Sequence, residues 1–374
     1  MKQRTFNILL TVLFCLFIGG MFLGSILLPD RTFSQLENRN LAAAPKLSWE
    51  TVTTGTFMED AEDYVNDQII GRDFWVALKA WSERVSGKQE NNGVYFAKED
   101  TLISRVDTPS QSDLEENAGY VNALVNNVDV PVYFGIIPSA AEIWSYRLPE
   151  GAPTADEKAI IDRLYNEVQT HVIDLYSVLN AHKDEELYYR TDHHWTSLGA
   201  YYGYTALMNA MGLEAVPLDE SQKVTVSDEF YGTLFSSSGV RWLPPDHIDR
   251  YISDEGVTVT AYPNGAPEPG SLYVDSYLEV KDKYSSFLGG NKPLCIIETE
   301  HTDAPKVLVI RDSYADSLAP FLTQNFSEIH LFDPRYNLTS VKDYVTQNEI
   351  DSVVVLYSIS NFTAKDNQMF VLGR

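Results

Sequence analysis

Hydrophobic and polar positions divide this chain into an apolar leader, an amphipathic stretch and a long alternation of strand-like and helix-like segments. The uncharged run from Phe6 to Leu28, at about 1.5 Å of helical rise per residue, exceeds the roughly 30 Å hydrocarbon core of a bilayer. Lys2 and Arg4 precede it and Asp30 follows, a charge bias that keeps the N-terminus in the cytoplasm and exports the rest. A single-pass cell-membrane anchor is expected; the competing reading is a cleaved signal, against which the only small-residue run, Leu41-Ala42-Ala43-Ala44, lies far downstream.

From Ser34 to about Lys88 a polar linker leads into a helix pattern, with Phe57, Ala61, Tyr64, Val65 and Ile69 on one face. Asn92-Gly93 opens a hairpin over GVYFAKEDTLI. Beyond it, helix Leu114–Asn126 precedes the apolar run Val130–Ile137, a strand buried on both faces. Helix 156–170, strand 171–175, strand 306–311, helix to 325, strand 328–332, helix 340–348 and strand 352–357 follow. Such alternation predicts an α/β fold with a doubly wound, mostly parallel sheet. Residues 212–302, rich in Gly, Pro and Tyr, read as a mixed insertion covering a sheet edge. The expected organisation is 1–30 cytoplasmic tip and transmembrane helix, 31–90 linker and helical stalk, and 91–374 α/β domain.

Composition narrows the function. The 374 residues carry 28 Lys+Arg against 53 Asp+Glu, a formal charge of −25. That balance opposes polyanionic partners, so no nucleic acid is expected. Cys15 and Cys295 are too differently placed for an internal disulfide, and Phe14 before Cys15 does not make a lipoprotein box.

Two places carry chemistry. In Lys306-Val-Leu-Val-Ile-Arg-Asp-Ser-Tyr-Ala a buried strand ends and Ser313 sits at the turn into a helix, where ligands bind in open α/β sheets and amides can hold an oxyanion. The plainer reading is that Asp312 or Ser313 caps that helix. In Tyr188-Tyr-Arg-Thr-Asp-His-His-Trp-Thr-Ser, Asp192 can accept from His194 Nδ1, leaving Nε2 to deprotonate a serine. Asp192, His193 and His194 also offer metal-type donors, but neighbouring residues rarely face one ion and no second cluster of ligands follows at suitable spacing; no metal or cofactor is expected. A structural histidine pair is the third reading. Phosphoesterases with an Asp-His-His motif need an Asp-x-Asp after an earlier strand, where this chain has Pro138-Ser-Ala-Ala.

The block Asp192-His193-His194-Trp195 resembles that of the DHHW family of bacterial envelope proteins, and Glu37-Asn38-Arg39, Asn92-Gly93-Val94-Tyr95, Phe287-Leu-Gly-Gly-Asn291 and Asp312-Ser313-Tyr314-Ala315 are similar to its recurring segments. That family in turn resembles the SGNH-hydrolase-like alginate O-acetylation proteins, which implies an SGNH-like fold and a triad of Ser313 as nucleophile, His194 as base and Asp192 as its orienter. Gly290, Asn291 and Asn361 are the implied oxyanion or substrate-binding candidates beside the Ser313 amide, with His193 lining the site. Arg311 stands where SGNH enzymes have glycine, close to the nucleophile. The resemblance implies an extracytoplasmic O-acetyltransferase or acetylesterase acting on a cell-envelope or exported polysaccharide, fed by a membrane-embedded acyl donor protein. The alternative is a catalytically silent glycan-binding or scaffold module of the same fold.

Overall fold

A computed structural model describes residues 3–374; Lys2, used above to orient the leader, lies outside the described residues. The chain forms two compact units, one holding the residues up to Lys88 with Ser236–Arg241, the other Gln89–Phe235 with Trp242–Arg374.

In the first unit the leader is helix α1, Gln3–Leu27, none of whose residues is buried. Helices α2 (Trp49–Thr54), α3 (Thr56–Gln68) and α4 (Arg72–Val85) follow. Ser48 and Thr51 form a reciprocal capping box at the start of α2, and Gly55 and Gly71 separate the helices at φ +85° and +70°, where a side chain would be strained. Of the face expected here, Phe57, Ala61, Tyr64 and Ile69 are half-buried and Val65 is exposed, whereas the polar Asp67 is buried. Asp67 accepts from both Arg39 Nη1 (2.8 Å) and the Ala42 amide (2.8 Å), and Glu37 pairs with Arg39 and Arg72. The Arg39 guanidinium holds the Asp67 carboxyl below its usual range. A charged segment, Glu37-Asn38-Arg39, therefore organises this unit through ion pairs that no hydrophobic pattern announces.

The second unit is built on an eight-stranded sheet. Its strands are β1 (Val132–Ile137), β2 (His171–Val172), β3 (Thr258–Ala261), β4 (Glu268–Pro269), β5 (Leu294–Glu298), β6 (Lys306–Arg311), β7 (Glu328–Phe332) and β8 (Ser352–Ser358). Their order is β4-β3-β5-β7-β6-β8-β1-β2. From β7 to β2 neighbours are parallel; β5, β3 and β4 continue the sheet antiparallel. Continuous apolar runs form the central strands because both faces are covered: Val307 to Ile310 and Val353 to Val355 are inaccessible to solvent. Strand β2 shows the opposite case, two paired residues at an edge where five were expected.

Helices α5 (Gln111–Asn127), α6 (Glu157–Glu167), α7 (Leu175–Ala181), α8 (Ser197–Met211), α9 (Ala315–Leu322) and α10 (Val341–Gln347) alternate with the parallel strands. Caps fix several starts: Asp156 accepts from Ala159 N, Thr196 from Gly199 N and Ser340 from Asp343 N. The stretch 212–302 does more than cover an edge. It supplies β3, β4 and β5 and a bulged antiparallel pair, Val224–Phe230 with Asp246–Arg250. The expected hairpin after Asn92 is a three-stranded antiparallel sheet of Glu90–Asn91, Val94–Phe96 and Leu102–Ser104.

Candidate active site

Strand β6 ends at Arg311, and the chain turns through Asp312-Ser313-Tyr314 into α9. The turn closes by Ala315 N to Asp312 O and Asp316 N to Ser313 O, both 3.1 Å. Neither Asp312 nor Ser313 caps the helix. The buried Asp312 carboxylate instead accepts from Tyr314 N (3.0 Å), Ser358 N (2.9 Å), Ser358 Oγ (2.6 Å) and Asn361 Nδ2 (2.8 Å). It thereby ties the turn to the carboxyl end of β8, and Ser313 Oγ is left for another partner.

That partner comes from the loop before α8. His194 Nε2 lies 2.8 Å from Ser313 Oγ, and His194 Nδ1 lies 2.6 Å from Asp192 Oδ1. Asp192 Oδ1 also accepts the His194 backbone N–H at 2.9 Å, while Oδ2 accepts Thr233 N (2.7 Å) and Thr233 Oγ1 (3.0 Å). Burial disfavours the Asp192 anion, but the two imidazoles and these bonds hold the carboxyl well below the ordinary range. An ionised Asp192 fixes His194 as the Nδ1–H tautomer, with the Nε2 lone pair facing the serine hydroxyl. Four protein donors occupy this carboxylate and both His194 nitrogens are engaged in hydrogen bonds; potential ligand atoms of Asp192, His193 and His194 lie within 4.8 Å of one another.

The surroundings lock the pair. Tyr284 stacks on His194 at 3.8 Å with planes 9° apart, and its hydroxyl donates to Ser313 O at 3.0 Å. Buried Trp195 donates through Nε1 to Tyr314 O (2.9 Å) and Ser317 Oγ (3.0 Å), so it fastens the histidine loop to α9. Behind the loop, Asp246 accepts from Arg190 N (3.0 Å), Thr191 N (2.8 Å) and Thr191 Oγ1 (2.6 Å). Gly232 is required for close approach, because a Cβ there would overlap the Asp192 side chain, only 2.6 Å from its Cγ.

A cavity of about 150 Å³ meets the triad at Asp192 and is lined also by Ser104, Ser139, His193, Tyr314, Ser360 and Asn361 among others. Behind Ser139 lies the buried Glu157, which accepts from Ser139 N (2.8 Å) and Ser139 Oγ (2.5 Å) and whose carboxyl burial pushes up to about 7. The His193 imidazole, its Nδ1 2.6 Å from Thr233 Oγ1, is held below its ordinary pKa chiefly by burial. Asn361 also lines the cavity, with one amide hydrogen spent on Asp312.

The other sequence-derived candidates lie elsewhere. Gly290 N–H is spent on Phe287 O (3.3 Å), and Asn291 Oδ1 accepts from Arg311 Nη1 (3.1 Å). The Arg311 guanidinium, expected beside the nucleophile, is wholly buried and paired with Asp316 at 2.8 Å; burial lifts that aspartate to about 6 against the pull of the arginine. Among the described residues the Ser313 backbone N–H has no protein acceptor. Sequence reasoning passed over Thr233, Gly232, Asp246 and Tyr284, all within the poorly patterned stretch 212–302, where no periodicity marks them.

The α/β sheet, with a hydroxyl, an imidazole and a carboxylate in hydrogen-bond sequence beyond its strand ends, has an SGNH-like fold. The chain belongs to the DHHW protein family, whose sequence profile matches residues 106–332. A DHHW family protein from Eubacterium siraeum is similar in structure, 27% identical with a TM-score of 0.66, over 75% of this chain and 95% of that one. Bacillus cereus PatB1, solved with a sulfonyl adduct, is 20% identical with a TM-score of 0.62, over 74% of this chain and 98% of that one. The O-acetyltransferase domain of Pseudomonas putida AlgJ is more remote, 14% identical with a TM-score of 0.46, over 73% of this chain and 93% of that one. No curated protein matches in sequence.

Proposed function

We propose that this protein is a serine acyltransferase or esterase, anchored by α1 with residues 31–374 outside the cell membrane, that moves acetyl groups onto or off an envelope or exported polysaccharide. The observation that carries it is the relay Asp192–His194–Ser313, at 2.6 and 2.8 Å. His194 Nε2 takes the hydroxyl proton as Ser313 Oγ attacks the acyl carbonyl; the tetrahedral oxyanion is held by the Ser313 N–H and, in reach of the cavity, the second Asn361 amide hydrogen. The intermediate collapses to an acyl-serine as His194 returns the proton to the leaving oxygen. A sugar hydroxyl or water, deprotonated by His194, then attacks the ester and restores Ser313.

The cavity supports a hydroxyl-bearing acceptor that is not an anion: serines and an asparagine line it beside Asp192, with no Lys or Arg among the lining residues. Arg311, buried on Asp316, does not crowd the hydroxyl, which removes the observation that favoured a silent module. The test is acetyl-ester turnover and fluorophosphonate or sulfonyl fluoride labelling of the full chain, against Ser313→Ala and His194→Ala. Both variants are expected to lose labelling and at least about 10³-fold in turnover. Folded variants that turn over like wild type would sink the enzymatic reading.

A further inference from the structure

Helix α4 carries Phe74, Leu78, Trp81 and Val85 at intervals of four, three and four, a single stripe along one side. The stripe is open, at 61%, 39%, 55% and 66% exposure, while Ala80 is fully buried. Exposed aromatic and aliphatic side chains in a continuous row are a contact surface for something apolar.

The position of α4 against α1 says what. Ile70, just before α4, donates its N–H to Ser25 Oγ at 3.0 Å and packs where Gly24 has no Cβ, the Ile70 Cδ1 lying 2.8 Å from that point. Trp75 then meets Phe17 edge-on at 6.1 Å. From Phe17 to Leu28 is roughly 16 Å of helix at 1.5 Å per residue, about half the hydrocarbon thickness. If α1 spans the bilayer, the start of α4 lies beside its outer half, and Trp75, edge-on to Phe74 at 5.1 Å, links the stripe to a helix that has no buried residue. Lys79 and Glu83, between the stripe positions, can extend toward the headgroups.

We propose that α4 is seated in the outer leaflet beside α1, with Phe74, Leu78, Trp81 and Val85 against acyl chains. This rests on reading α1 as a span. The partner is the lipid itself, not a second copy, because the surface that the stripe extends is the one α1 presents to lipid.

The experiment uses the full chain in phosphatidylethanolamine/phosphatidylglycerol nanodiscs, in a Cys295→Ala background. One spin label goes on the exposed native Cys15; others go on Leu78→Cys, Val85→Cys and the exposed Ser112→Cys, each with Cys15→Ser. Labels at 15, 78 and 85 should gain O2 collisions and lose Ni(II) chelate collisions relative to 112. If 15 has this lipid signature but 78 and 85 collide freely with Ni(II), the helix is in water and the proposal fails while the span stands. If 78 and 85 are shielded from both reagents, protein covers the stripe and the proposal fails. A water signature at 15 would refute the span reading itself.

Discussion

Replacing Asp192 by asparagine changes one charge and almost no volume, yet every acceptor bond of that side chain is affected. Wild-type Oδ1 receives two N–H donors from His194 and Oδ2 receives the Thr233 amide and hydroxyl. In Asp192→Asn, the new NH2 group turned toward Thr233 opposes that backbone N–H. Turned toward His194, it opposes another and drives the imidazole to the tautomer with Nε2–H, which cannot accept the Ser313 proton. Either way a buried backbone donor loses its partner, about 1–3 kcal/mol of stability, and the imidazolium formed on proton transfer loses its counter-charge. Turnover should fall by about 10³–10⁴, equivalent to roughly 4–5.5 kcal/mol of activation free energy. The assay is chromogenic acetyl-ester hydrolysis under saturating and limiting substrate, with circular dichroism to show a folded variant. A folded Asp192→Asn protein within threefold of wild type would refute the assignment of Asp192 as the group that orients His194.

Gly232→Ala should displace Asp192, since the new Cβ overlaps that side chain; about 1–3 kcal/mol of thermal stability and on the order of 10²-fold in activity are expected to go, as read by melting and turnover. Tyr284→Phe keeps the stack on His194 and loses the hydroxyl's bonds to Ser313 O and Ser317 Oγ, so it should cost a few-fold in turnover at about 1 kcal/mol, whereas Tyr284→Leu should cost substantially more; equal losses would dismiss the ring's role in positioning. Glu157 binds its proton more tightly folded than unfolded, about 7 against 4.5, so its contribution falls as pH rises between those values, by on the order of 3 kcal/mol. Chemical unfolding of wild type and Glu157→Gln at pH 4.5, 6 and 7.5 should show a steeper fall in wild type than in the variant, which keeps only the slope from other raised carboxyls such as Asp316.

The central strands could be read from the sequence because burial on both faces writes an unbroken apolar run, as in Lys306–Arg311 and Ser352–Ser358. Ser313 and His194 were legible for a chemical reason, a hydroxyl at a strand end and an imidazole two residues after a carboxylate. What escaped was held by polar contacts. Arg311 looks like a surface charge until Asp316, five residues later, is seen to pair with it in the core, and Thr233 matters partly through a backbone amide that any residue but proline could offer. Strand Leu294–Glu298 was lost inside a Gly- and Pro-rich stretch whose local signals are those of turns.

The bond between His194 and Ser313 joins positions 119 residues apart along the chain. Trp195 spans the same interval to reach Tyr314, and Thr233 must arrive from a third segment to hold Asp192. Such a site is among the most expensive in loop closure and forms only when the sheet and the histidine loop have both docked. A nascent or partly unfolded chain therefore carries an ordinary, unreactive serine. On the proposed acyl-transfer function, heat inactivation should coincide with global melting of the α/β unit, and turnover should require a chain that has completed its fold.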